Sequence, residues 1–213
     1  MTNPSLAQAS RLCLSIFQWL CLSVVIPYLV IMSRKYKFGD SEKMYFISFA
    51  VVYWIDLFIR KEYKDIVLES WRFCQKEKDL EIYGWCIMSS HVHMIIGSKG
   101  RLLEKIVGEM KSFTSRDLRK AIEAHAGESR KEWLLWMMKR AGEKNGNNKD
   151  WQLWQQHNQP IELSTIDMFY QKLEYIHRNP VEVGFVEHGE DYWYSSARDF
   201  YDRKGLIELC YVV

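Results

Sequence analysis

His91 and His93 stand two residues apart in the segment HVHMII, residues 91–96. On an extended strand that spacing sends both imidazoles to one face of a sheet, with Val92, Met94 and Ile96 on the other. Two neighbouring imidazoles on a rigid strand make half of a divalent-metal site. One core and one surface histidine would give the same spacing, so the pair alone decides nothing. Tyr175 and Asn179, four residues apart, share a helix face if the helix reaches that far. A tyrosine hydroxyl becomes a nucleophile when a metal or base activates it, and an asparagine amide oxygen is a suitable third ligand beside two imidazoles. Read as packing, Tyr175 is a core aromatic and Asn179 a helix C-cap before Pro180.

The elements that must position these residues can be read from the chain. KMYFISFAVVY (43–53) is rich in β-branched and aromatic residues and predicts a buried strand. Ile66, Val67, Trp71 and Cys74 recur at helical spacing within 63–78. LEIYGWCIM (80–88) and HVHMII (91–96) predict two more strands, and 101–126 a helix with Leu102, Ile106, Met110 and Phe113 on one face. A fourth strand is expected around 151–156, and a last helix over 164–178, with Ser164 and Thr165 as capping candidates and its end before Pro180. Residues 127–150 read as an insertion: a short amphipathic helix, EWLLWMMKR, and a turn-forming loop, GEKNGNNKD. The order predicts an α+β fold, a ferredoxin- or RRM-like antiparallel sheet with helices on one face, followed by a C-terminal helix that carries Tyr175.

With 48% hydrophobic and 26% charged residues, the 213-residue chain is neither disordered nor fibrous. A net charge of only +2 excludes a uniform basic coat, so any nucleic-acid role must come from a local patch. Five cysteines with no CxxC pair argue against a disulfide framework or a thiolate zinc site and for a reducing, cytoplasmic setting. Residues 1–31 form an apolar extension whose one charge is Arg11; the uncharged run 12–31 could span about 30 Å as a helix. It reads either as a start codon placed too early, with Met32 opening the domain at 32–213, or as a membrane anchor. Membrane contact is expected only if residues 12–31 are translated and inserted.

HVH at 91–93, YIHRNPVEVGFV at 175–186 and DYWYSSARDFY at 191–201 together resemble the REP-associated tyrosine transposases, single-strand transposases of the HUH superfamily. The likeness spans roughly residues 35–201, and its ordered combination is more specific than any single part. It implies an RRM-like fold, Tyr175 as nucleophile, His91 and His93 as metal ligands, and Asn179 as the third ligand, with Mg²⁺ or Mn²⁺ bound. The implied chemistry is nicking and rejoining of single-stranded, hairpin or palindromic DNA through a 5′-phosphotyrosine on Tyr175. Lys172, one turn before it, would steady the phenolate or contact phosphate, or be a solvated surface lysine.

Residues 101–150 hold twelve Lys/Arg against eight Asp/Glu, a local net of +4. Lys111, Arg116, Arg119 and Lys120 are the first candidates for phosphate contacts, though a solvated helix face with i,i+4 ion pairs accounts for them equally. Trp151 and Trp154 are candidates for stacking unpaired bases, or for core. Trp133, Trp136, Met137 and Met138 read as packing or an interface. Two rival functions are a DNA-binding protein that holds palindromic repeats without cutting and an RRM-like RNA-binding module. Related transposases include homodimers in which the tyrosine works on a partner's site.

Overall fold

Strand β1 (Tyr45–Ala50), β2 (Leu80–Ile87) and β3 (His91–Ser98) are runs of aromatic and branched side chains suited to a pleated, half-buried surface. The computed structural model describes residues 38–40, 42–146, 150–156, 158 and 160–212. Between and after these strands come α1 (Lys61–Glu77), α2 (Leu103–Ala124), α3 (Lys131–Glu143), β4 (Ile161–Glu162) and α4 (Ile166–Glu182). The four strands form one antiparallel sheet in the order β2-β3-β1-β4. Its register sets Ala50 opposite His91 and Ser48 opposite His93.

Period-2 alternation divides the sheet into two faces. Tyr45, Ile47, Phe49, Trp85, Ile87, Val92, Met94 and Ile96 point into the larger core, where α1 and α2 bring Val67, Trp71, Ile106 and Met110. The opposite face carries Phe46, Cys86 and Ile95, and α4 covers it with Phe169, Leu173 and Ile176. Each fully buried large apolar side chain contributes about 1.5–3 kcal/mol over leaving it in water. Among the described α-helices, the one bearing Tyr175 alone covers this side of the sheet, held by a small core of its own.

The fourth strand differs from the expectation. The segment 151–156 makes only an isolated bridge, Trp154 to Val51, with hydrogen bonds from Val52 N to Leu153 O and from Gln155 N to Ala50 O. Beyond it Ser48 N donates to Asn158 O at 3.1 Å, and Ile161 and Glu162 pair as β4 with Phe46 and Tyr45. The described residues on either side thus meet the edge of β1 at several points, but the regular strand among them is just two residues long. The far edge, β2, is covered by Tyr194 O accepting from Ile87 N and by Cys210 N donating to Ile82 O.

Helix α4 also departs from its predicted end. Thr165 caps it, its hydroxyl accepting from Met168 N at 3.2 Å, but the helix runs through Pro180 to Glu182. Pro180 lies in the last turn, where it costs a single i→i−4 bond. Gly184, at φ +75°, closes the end: its N–H bonds Val181 O, and Phe185 N bonds Pro180 O.

In the insertion, the carboxylate of Glu128 is buried between Arg60 and Arg130 at 2.8 and 3.1 Å, tying the loop after α2 to the start of α1. Burial pushes this carboxyl up, but hydrogen bonds from Arg130 and Arg60 overcome that and hold it at about 2. Cys74, Cys86 and Cys210 are free thiols. The apolar extension 1–31 lies outside the described residues, as does Lys149; among the described residues no helix is long and apolar enough to cross a membrane.

Candidate active site

The two histidines of β3 emerge on the face that α4 covers. Their ring centroids are 4.7 Å apart, and Phe46, beside them on β1, stacks on His93 at 5.7 Å with an interplanar angle of 20°. Helix α4 lays Tyr175 edge-on against His93 at 5.2 Å and against Phe46 at 5.9 Å. One turn further along, the Asn179 side chain reaches His91. Lys172 places its Nζ 5.7 Å from the Tyr175 ring centre and 5.1 Å from that of Phe46. The unbroken passage of α4 through Pro180 is what keeps Tyr175 and Asn179 on one face. His91, His93, Lys172, Tyr175 and Asn179, separated by up to 88 residues of sequence, meet in one place.

Burial within this cluster is uneven. His93 is 5% exposed whereas Tyr175 is 47% exposed, so the tyrosine can meet a ligand arriving from solvent. Neither nitrogen of His93 has a hydrogen-bond partner. A buried polar group left so costs about 1–3 kcal/mol, which a bound cation would offset. His91 shares a 3.2 Å contact between Nδ1 and Ser90 Oγ. Burial pushes the His91 imidazole down to about 4, against the pull of Asn179 and Asp56. Burial, then the neighbouring His91 and Lys172, hold His93 well below the usual histidine range. Both rings are therefore neutral near pH 7, the form in which imidazole ligates metal. The residues fit a divalent cation: two neutral imidazoles, one with both nitrogens unsatisfied, and an amide oxygen. Among the described residues no group of three or more His, Cys, Asp or Glu gathers; the Asn179 amide oxygen beside His91 is a donor of another type.

The residues expected to hold DNA fare differently. Lys111 is turned inward: its ammonium donates to Gln155 O at 2.8 Å and Asn158 Oδ1 at 2.6 Å, and burial pushes it down to about 8. It ties the β1-edge segment to α2, with its ammonium held by these two acceptors at the wall of a groove. Trp154 is 5% exposed, its indole N–H donating to Thr114 Oγ1 at 2.9 Å, with Phe58 stacked on it and Phe49 edge-on, so it is core and not a stacking platform. Arg116, Arg119 and Lys120 are exposed on α2, paired with Asp117, Glu123 and Asp117 respectively. Arg116 and Arg119 line a groove of about 780 Å³ between α2 and residues 151–158, with Trp151 beneath Arg119 at 5.0 Å. This groove belongs to the α1/α2 side of the sheet and contains none of the histidine cluster. On α3, Leu134 and Met138 are buried while Trp133 and Trp136 are exposed.

Two neighbours of the site were not singled out by sequence. Phe46 floors the cluster, and its place follows from alternation along β1. Trp54 packs against His91 at 5.4 Å, from a turn in which Tyr53 and Trp54 both adopt positive φ. No pattern of residue types foretells that backbone.

Residues 44–139, spanning β1 to most of α3, match the sequence profile of the transposase IS200-like family. The matched segment is thus similar to IS200-like transposases, and it covers the part of the fold that carries the two histidines. Tyr175 and Asn179 lie beyond the matched segment. Its fold is similar to that of a REP-associated tyrosine transposase solved bound to a REP hairpin, with a TM-score of 0.58 at 16% identity over 80% of this chain and 87% of that one. A Deinococcus radiodurans chain with a provisional transposase description gives a TM-score of 0.40 at 16% identity, over 69% of this chain and 97% of that one. No curated protein matches the sequence.

Proposed function

We propose that the protein nicks and rejoins single-stranded DNA, of hairpin or palindromic form, through a covalent link to Tyr175. The observation that carries this reading is the meeting of a half-exposed tyrosine with a buried, unpartnered histidine at 5.2 Å, beside His91 and Asn179. His91, His93 and Asn179 would hold Mg²⁺ or Mn²⁺, which when bound polarises the scissile phosphate and offsets charge in the transition state. The Tyr175 hydroxyl attacks phosphorus: the Oη–P bond forms and the P–O3′ bond breaks. The phenolic proton passes to solvent and the departing 3′ oxygen takes one up, leaving a 5′-phosphotyrosine and a free 3′-OH. Attack by another 3′-OH reverses the step and rejoins DNA without an external energy source, because the phosphotyrosine conserves the bond. Lys172 supplies positive charge beside the phenolic ring as negative charge develops there. The REP-hairpin-bound relative of similar fold favours hairpin DNA as the substrate class.

The test is incubation with labelled single-stranded hairpin DNA and Mn²⁺, followed by denaturing electrophoresis. A protein–DNA adduct, absent in Tyr175→Phe and reduced at least a hundredfold in His93→Ala, is expected. Tight binding without an adduct under any divalent metal would make the protein a DNA-binding module and remove the nicking reading.

A further inference from the structure

We propose that Trp54 is a base-stacking platform that seats a nucleobase flanking the scissile phosphate; this rests on the single-stranded DNA reading above. Three observations meet at this residue. Its ring lies against His91, with centroids 5.4 Å apart and planes at 69°, so it borders the histidine pair at the end of β1. It is 51% exposed, leaving much of an indole in water beside a polar cluster. Both Trp54 and the preceding Tyr53 sit at positive φ, +55° and +57°, a conformation that bulky L residues avoid.

The surroundings impose that turn. Val51, Val52, Ile55, Leu57 and Phe58 are buried around it, and backbone bonds run from Val51 N to Ser90 O, from Phe58 N to Ser89 O and from Trp54 N to Val51 O. The turn is thereby tied to the loop that leads into His91. A strained backbone held so firmly, with its two aromatic side chains thrown outward, is the arrangement expected when ring placement matters more than local stability. Every base has a π-face, so a fixed indole grips unpaired DNA with little sequence preference. A base paired within a duplex is already stacked on both faces, so Trp54 favours the unpaired nucleotide and helps select single-stranded substrate at the point of cleavage.

The experiment uses the full chain in EDTA, with fluorescence anisotropy of two labelled strands of equal length and charge: dT20, and a twentyfold abasic deoxyribose-phosphate strand. Wild type binds dT20 more tightly than the abasic strand. Trp54→Ala weakens dT20 binding about five- to thirtyfold and leaves the abasic affinity and the salt slope unchanged. Trp54→Phe retains most of the difference. Trp54→Gly, which relieves the positive φ, loses the difference while unfolding at or above the wild-type temperature. Equal weakening on both strands, or no change in the dT20 affinity, overturns the stacking role alone. Failure of wild type to bind either strand at low salt overturns the single-stranded DNA reading itself, and the stacking role with it.

Discussion

At the scale of single residues, charge and position in the sequence do not by themselves assign a role. Lys111 has the type and neighbourhood of a phosphate ligand, yet its ammonium is spent on Gln155 and Asn158. Lys111→Ala should therefore lower stability by about 1–3 kcal/mol in urea unfolding, since two acceptors lose their donor. It should leave the salt dependence of DNA binding unchanged, whereas Arg116→Ala, removing an exposed cation, should make that slope shallower by up to one. The histidine pair, Tyr175 and Asn179 could be found because strand and helix periods dictate which side chains converge. For Lys111 and Trp154 the sequence left two readings open because burial is a tertiary property: the same Lys or Trp reads alike on a rim or in a core. Trp54 had no signal at all, since a left-handed Tyr-Trp pair arises from packing around it.

At the scale of elements, the site depends on how α4 is pinned to the sheet. The loop after it folds back so that Gly189 touches the helix; a Cβ there would come within 2.7 Å of the His177 carbonyl oxygen. Gly189→Ala should therefore push this loop from α4, costing about 1–3 kcal/mol by thermal unfolding and slowing adduct formation more than DNA binding. Strands β1 to β3 and helices α1, α2 and α4 were legible because each buries a long, regular apolar stripe. The fourth strand was not, because two residues are too few to carry any period, while WQLWQQ upstream alternates convincingly without forming a ladder. The end of α4 escaped for a different reason. Proline forbids a helix in the interior more strongly than in the last turn, where a glycine cap can absorb the remaining cost.

At the scale of the whole molecule, stability should fall in two stages on acidification. His91 and His177 are pushed down to about 4 by burial, His177 donating to or accepting from Ser196 Oγ at 2.9 Å. In the unfolded chain such imidazoles bind protons near 6.5, so between these values the unfolded state holds more protons. Their contribution is complete above about pH 6.5 and is lost as pH falls towards 4. Glu128, held at about 2, contributes fully above about 4.5 and is lost below that; its share is on the order of 3 kcal/mol. Urea midpoints across pH 2–8 should show both declines, with Glu128→Gln removing the lower one and a flat profile above pH 4 counting against the buried neutral histidines.

The covered margins of the sheet also constrain self-association. Among the described residues, chain segments occupy β2 through Tyr194 and Cys210, and β1 through Leu153, Gln155, Asn158 and the two-residue β4. Strands left open invite another chain to extend the sheet, in domain swapping or in aggregation. Among the described residues both edges of the sheet already carry backbone partners, which leaves little edge for another chain to extend. The sheet that carries the histidines is thereby shielded from strand addition, so aggregation on partial unfolding should begin where these edge partners detach first.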